Sequence, residues 1–424
     1  MGWALVILFA VLLLVGVPVA VAMGFSSMLV CLIFHTYPVL AIVHKIAGGI
    51  DSYVLISIPF FILAGEIMNT GGITTRIFNF ANLIVGKIPG GMGHTNVLAS
   101  IIFSGMSGSA VADTGGLGMI EMKAMMDKGY DKEFSAAVTC ASATIGPIIP
   151  PSIPMIVYGA MAEVSVGALF MGGILPGLLL GLSLMVFIYF ISRKRHYPTR
   201  ETVTIQEGIK ICKEAVFPLF TPVIIIGGII TGVVTPTEAA IVASFYAFLL
   251  SIFYKAITPK TLLKMLEDTA INSATILFII ASATAFSWVL SVEGIPQKVT
   301  TFILSVTRQP FLILLLLNII LLIMGMFMEG LSILTIIVPF LLPLIKAVGI
   351  DPVHMGVMVV LNIMIGLSTP PVGMSLFVIN KIADVDINKL YREIIPLVIP
   401  LLVILALVTY VPQISLAIPH LLMK

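Results

Sequence analysis

Four stretches of this sequence set glycine, together with proline, hydroxyl or carboxylate residues, inside apolar surroundings. They are Ser104-Gly105-Met106-Ser107-Gly108-Ser109-Ala110, Gly146-Pro147-Ile148-Ile149-Pro150-Pro151-Ser152-Ile153-Pro154, Gly325-Met326-Phe327-Met328-Glu329-Gly330 and Gly366-Leu367-Ser368-Thr369-Pro370-Pro371-Val372-Gly373. Proline lacks a backbone donor and glycine relaxes the backbone, so helices break at such places. A break frees carbonyls that can hold a small hard cation, and it exposes helix N-termini that attract anions. No Arg or Lys lies within the breaks, so an anion there has to be held by hydroxyls, backbone N–H groups and nearby cations. Ser107, Ser109 and Ser152 supply hydroxyls, with Glu329 opposite them. Among the other carboxylates in apolar segments, Glu66, Asp113 and Glu238, capping or helix bonding is as good a reading as binding for Glu66 and Asp113.

The surroundings of these stretches are those of a membrane protein. Of 424 residues, 59% are hydrophobic and only 10% charged, which leaves far too much apolar surface for a soluble fold to hide. Met1 to His44 contains no Lys, Arg, Asp or Glu, enough for one or two crossings, and without a basic leader it does not read as a cleaved signal peptide. The 22 basic and 20 acidic residues form no nucleic-acid surface, and Cys31, Cys140 and Cys212 have neither disulfide nor metal-ligand spacing.

Sliding the chain along itself by 220 residues aligns Gly105-Met106 with Gly325-Met326, Gly129 with Gly349 and Asp131 with Asp351. It also aligns Ile145-Gly146 with Ile365-Gly366 and Pro150-Pro151 with Pro370-Pro371. Between the starts of the two repeats five full crossings are expected, at 53–69, 133–162, 166–192, 215–233 and 236–257, with 94–127 returning to its own side. Five is odd, so the repeats run in opposite directions through the bilayer. The basic loop from Arg193 to Glu214 is cytoplasmic by the positive-inside rule, the first hairpin enters from that side, and the C-terminus lies on the other. The expected fold is thus an all-α polytopic membrane protein with inverted-topology repeats, each holding a re-entrant helical hairpin and a broken transmembrane helix.

In residues, this places scaffold helices at 1–52 and a first repeat at 53–192, with its hairpin near 94–127 and its broken helix near 133–162. The basic loop covers 193–214 and further scaffold helices 215–268. The second repeat covers 269–385, with a hairpin near 310–348 and a broken helix near 351–383, and a C-terminal helix fills 386–424.

Ile58-Pro59-Phe60-Phe61-Ile62-Leu63-Ala64-Gly65-Glu66, the Ser104 to Asp113 stretch, the Gly146 to Pro154 break and Gly232-Val233-Val234-Thr235-Pro236-Thr237-Glu238-Ala239-Ala240 resemble the large membrane subunit of tripartite ATP-independent periplasmic (TRAP) transporters. The resemblance runs from end to end. It implies a sodium-driven, elevator-type importer of organic acids such as C4-dicarboxylates or sialic acid in the bacterial inner membrane. It also implies two partners, a small four-helix membrane subunit and a periplasmic substrate-binding protein; because Met1 leads directly into the first apolar run, the small subunit is expected as a separate chain. Two Na⁺ sites are expected, one at Gly105, Ser107, Gly108, Gly146 and Pro150, the other at Gly325, Met326, Gly366, Thr369 and Gly373. A different ion-coupled carboxylate carrier or a passive channel remains as an alternative. A third reading takes Gly105-Met106-Ser107-Gly108 as the G-x-S-G of an intramembrane serine protease, but candidate bases such as His354 are poorly placed for it.

Overall fold

The computed structural model describes residues 1–103, 110–199 and 203–422, and these residues form 21 α-helices joined by short turns. Among the described residues eight helices are long and apolar enough to cross a membrane: Tyr53–Thr70, Val166–Arg195, Ile205–Ile230, Pro236–Phe253, Pro259–Val292, Pro310–Phe327, Gly330–Val348 and Ile387–Tyr410. The chain is therefore a polytopic, all-helical membrane protein.

Its centre is built on two shorter helices, Lys132–Ala143 and Pro352–Leu367, each leading into one of the breaks. Phe134 to Gly159 and His354 to Thr369 are buried without interruption, so these segments are enclosed all round and need no polar face. Both begin at an aspartate. Asp351 caps its helix by accepting from the N–H groups of Val353 and His354, at 2.7 and 3.2 Å. Asp131 instead accepts from the Tyr197 hydroxyl and lies 3.5 Å from Arg195, whose guanidinium also grips Glu393 at 2.8 Å. That cluster ties the start of the first broken helix to the ends of Val166–Arg195 and Ile387–Tyr410.

A scaffold layer flanks this core. Helix Ser57–Thr70 packs between Pro236–Phe253 and Pro259–Val292, and Val19–Phe34 also packs on the latter. One contact is stitched at regular spacing: the hydroxyls of Thr237, Ser244 and Ser251 donate to the carbonyls of Tyr53, Phe60 and Ile67, at 3.2, 2.5 and 3.5 Å. Both rows advance by seven residues, two helical turns, so the helices run side by side over their length.

The internal repeat reaches further than the Gly/Pro register does. Left-handed residues occur in matching places of the two halves: Gly16 and Gly232, His35 and Lys255, Gly72 and Gly294, Gly129 and Gly349, Glu163 and Asp384. Each ends or begins a corresponding helix, and the first pair lies near the N-terminus, well before residue 53. Packing follows the same pairing. Val19–Phe34 lies on Pro259–Val292 as Pro236–Phe253 lies on Ser57–Thr70, so each half clasps a helix of the other.

Three boundaries move. The basic loop does not extend to 214, because Thr204 and Glu207 form a capping box that starts helix Ile205–Ile230. A boundary at 268 cuts through Pro259–Val292, which begins at Thr258 and runs unbroken for 34 residues. The C-terminal segment is two helices, Ile387–Tyr410 and Gln413–Leu422, divided before Pro412, which cannot continue the hydrogen-bond ladder.

Candidate functional site

The first helical hairpin is assembled from Gly91–Phe103, Ala110–Gly115 and Leu117–Asp127, pieces of at most 13 residues. The second is made from Pro310–Phe327 and Gly330–Val348, of 18 and 19 residues, so its arms are not the short halves that the first possesses. Beside each hairpin lies a break containing a cis proline bond, Pro150-Pro151 in one and Pro370-Pro371 in the other.

At the second break the expected ion-site residues come together. A Cβ built on Gly366 would lie 2.7 Å from the Gly325 Cα, so backbone meets backbone with no room for a side chain. The N–H of Gly373, a residue at φ +62°, donates to the Met326 carbonyl at 2.8 Å, closing the end of the break onto the hairpin turn. The Thr369 hydroxyl donates to the Ile365 carbonyl at 2.7 Å, which leaves its lone pairs free to accept or coordinate.

At the first break the partners are partly described. Gly105, Ser107, Gly108 and Ser109 lie outside the described residues. Gly146 and Pro150 are buried, and the Asp113 carboxylate lies against the Gly146 backbone, where a Cβ would come within 2.4 Å of its Oδ2. Ser152 is fully buried and caps helix Ile153–Ala162; its hydroxyl donates to the Pro147 carbonyl and accepts from the Met155 N–H. That hydroxyl holds the break together and does not line an open cavity.

The breaks are also braced from behind, by residues that the sequence reading passed over. The Asn96 carboxamide accepts from Ser142 at 2.6 Å and donates to Thr139 at 2.9 Å, tying a hairpin arm to the broken helix. In the other half Asn362 donates to Asn318 Oδ1 at 2.7 Å, and Asn318 donates to Thr409 at 3.0 Å. Ser142 and Asn362 are mates at the 220-residue offset, but they differ in type, so a search for identities overlooks them. Ser368 donates to the Cys140 carbonyl at 2.9 Å, which joins the second break to the helix that precedes the first. Glu121, 1% exposed in the first hairpin, is a second carboxylate that its charged neighbours in sequence had masked.

A cavity of about 660 Å³ opens between the scaffold helices and the two helical hairpins. Glu66 and Asn69 line it from one scaffold helix, Asn272 and Thr275 from another, and Gly116, Glu329 and Ser332 from the two hairpins. Its size suits a small organic ligand. Glu329 has two duties here, since its Oε2 also accepts from the Ser332 N–H at 2.9 Å and so caps helix Gly330–Val348. Glu238, in contrast, is an exposed member of a capping box with Thr235. His354 is buried and its Nδ1 lies 2.8 Å from the Ser415 hydroxyl, in a pairing away from either break.

Comparison with known proteins places this geometry. A family model described as "Tripartite ATP-independent periplasmic transporter, DctM component" matches residues 6–414. The sialic acid TRAP transporter large permease protein SiaM of Vibrio cholerae is 45% identical over 411 residues, covering 97% of this chain and 96% of that one. The C4-dicarboxylate TRAP transporter large permease protein DctM of Pseudomonas aeruginosa is 41% identical and covers 94% of each chain. The sialic acid TRAP transporter permease protein SiaT of Haemophilus influenzae is 40% identical over 97% of this chain and 67% of its own length. Among solved structures, the YdaH transporter of Alcanivorax borkumensis shares the fold at a TM-score of 0.61 with 14% identity, over 89% of this chain and 88% of that one.

Proposed function

This chain belongs to the DctM component family of tripartite ATP-independent periplasmic transporters, and we propose that it is the sodium-coupled membrane permease of an organic-acid importer. A transporter component is not an enzyme, so the G-x-S-G stretch has no peptidase role. The placement that follows from the family is the bacterial inner membrane. Its partners would be a small four-helix membrane subunit and a periplasmic binding protein that delivers the acid. The proposed topology is inverted between the repeats, with both hairpins re-entrant, the 196–204 segment cytoplasmic and the C-terminus periplasmic.

The observation that carries this reading is the cavity between scaffold and hairpins, with a helix break beside each hairpin. Neutral oxygens of a turn and a break suit a hard monovalent cation. Na⁺ moving down its gradient would supply the energy. Around it, the backbones of Gly325, Met326, Gly366 and Gly373 with the Thr369 hydroxyl would form one site. Gly146 and Pro150, the Gly105, Ser107 and Gly108 turn and the adjacent Asp113 carboxylate would form the other. Substrate would sit toward the cavity, held by Ser107 and Ser109 and bounded by Glu329, whose Oε1 remains to accept from a substrate hydroxyl. Ser152, engaged within the break, would support this site from inside. In this orientation the cavity faces the cytoplasm, since it is lined by Pro18, Asn69 and Asn272, which lie toward the cytoplasmic ends of their helices. The hairpins and broken helices would move as a body past the stitched scaffold, in the manner of an elevator.

Reconstitution in proteoliposomes tests the reading. The chain with both partners should accumulate a labelled organic acid only when Na⁺ is supplied outside, and the chain alone should not. Counterflow of labelled acid separates a carrier from a channel. Uptake by the lone chain, or uptake indifferent to Na⁺, would reject the proposal.

A further inference from the structure

A second cavity, of about 490 Å³, lies further along the same scaffold helix Pro259–Val292, between its last turns, the segment from Lys45 to Leu55 and the Ala160 to Glu163 end of the first broken helix. In the orientation proposed above it opens to the periplasm, at the opposite end of the path from the first cavity. The two are lined by different charges. The inner one presents Glu66 and Glu329 and no Lys or Arg, whereas the outer one presents Lys45 together with Glu163. Among the described residues neither Lys45 nor Glu163 makes an ion pair.

The rest of the outer lining narrows the chemistry. The Lys45 ammonium lies 5.8 Å from the centre of the Trp288 ring, which forms a broad apolar wall. Ser291 and Gln297 line the cavity as exposed polar groups. One ammonium matches one carboxylate, a nearby carboxylate accepts from hydroxyls, and the indole face covers a ring or a carbon chain. A second carboxylate on the ligand would be driven against Glu163.

We propose that this outer cavity is a staging site for the incoming substrate, and that the substrate it fits is a monoanionic, polyhydroxylated acid, a sugar acid rather than a dicarboxylate. Lys45 holds the carboxylate and Glu163, Ser291 and Gln297 receive the hydroxyls. The contrast in charge gives direction, because the anion is met by an ammonium at the outer end and by two carboxylates at the inner end. This rests on the importer reading for its orientation.

The test reads occupancy and needs no transport. In the membrane complex of this chain with its small subunit, with the exposed Cys212 replaced by Ala, a cysteine at Ser291→Cys, or alternatively at Gln297→Cys, is labelled with a membrane-impermeant maleimide. N-acetylneuraminate or D-gluconate should slow labelling several-fold, and succinate at the same concentration should not. Adding Lys45→Gln should remove the protection, read as the ratio of labelling rates with and without the acid in the same variant, and Lys45→Arg should keep it. Equal protection by succinate, or protection that survives Lys45→Gln, overturns the proposal. If Na⁺-driven uptake holds and protection is absent, this inference alone fails; if protection holds and uptake does not, the importer reading fails and the site stands.

Discussion

Around Gly146 the chain is sealed: every residue from Phe134 to Gly159 is buried, and a carboxylate from the neighbouring hairpin lies against the break. Around Gly366 burial ends at Thr369, Pro371 is exposed, and the contacts from the hairpin are backbone, Gly325 against Gly366 and Met326 to Gly373. The repeat has thus kept the backbone plan, down to a cis proline bond in each break, while charge and access have diverged. A formal charge strengthens coordination of a cation, and enclosure removes competing water. If both breaks bind Na⁺, the first should bind more tightly and exchange more slowly than the second.

Changes to each half sharpen this comparison. The largest effect is expected where backbones touch. Gly366→Ala forces a methyl group into the Gly325 backbone and should abolish uptake in proteoliposomes, with co-purification of the small subunit reporting whether the chain still folds. Residual uptake near the wild-type rate would show that the close approach is dispensable. Next comes Asp113→Asn, which keeps the shape and removes the charge. It should raise the Na⁺ concentration for half-maximal uptake by about tenfold or more. An unchanged Na⁺ dependence would mean that the sealed break carries no ion.

A smaller change is expected at the neutral site. Thr369→Val removes one hydroxyl and should raise the half-maximal Na⁺ concentration by about threefold to tenfold. An effect as large as that of Asp113→Asn would erase the proposed difference between the breaks. The smallest belongs to the scaffold, where one hydroxyl among three is lost in Ser244→Ala. Interhelical hydrogen bonds in membranes contribute about 0.6 kcal/mol each, so uptake should stay within about twofold of wild type and the melting temperature should fall slightly.

The breaks were legible in the sequence because proline and glycine act locally: Pro150-Pro151 and Pro370-Pro371 break their helices wherever they stand. The repeat was legible only in part. At His35 and Lys255, or at Glu163 and Asp384, the left-handed turn is carried by dissimilar residues, so no identity marks a shared conformation. At 204 and 258 helices start inside charged sequence, because Thr204 with Glu207 and Thr258 with Thr261 are capping sequences that permit a helix to start there. Asp113 against Gly146, and the carboxamides of Asn96 and Asn318, are tertiary meetings of residues far apart in the chain, and no local pattern announces them. Glu329 stands out in the sequence because it is alone among apolar neighbours; its bond from the Ser332 N–H, which caps a helix, depends on the fold.

Coupling stoichiometry bears most directly on the central claim that two unequal breaks each carry an ion. With the complete transporter in proteoliposomes held at zero membrane potential, the accumulation ratio of labelled substrate is measured while the Na⁺ gradient is varied. Two coupled ions predict that the accumulation ratio rises as the square of the Na⁺ ratio. Accumulation that is linear in the Na⁺ ratio, or that persists with no Na⁺ gradient, would contradict the account.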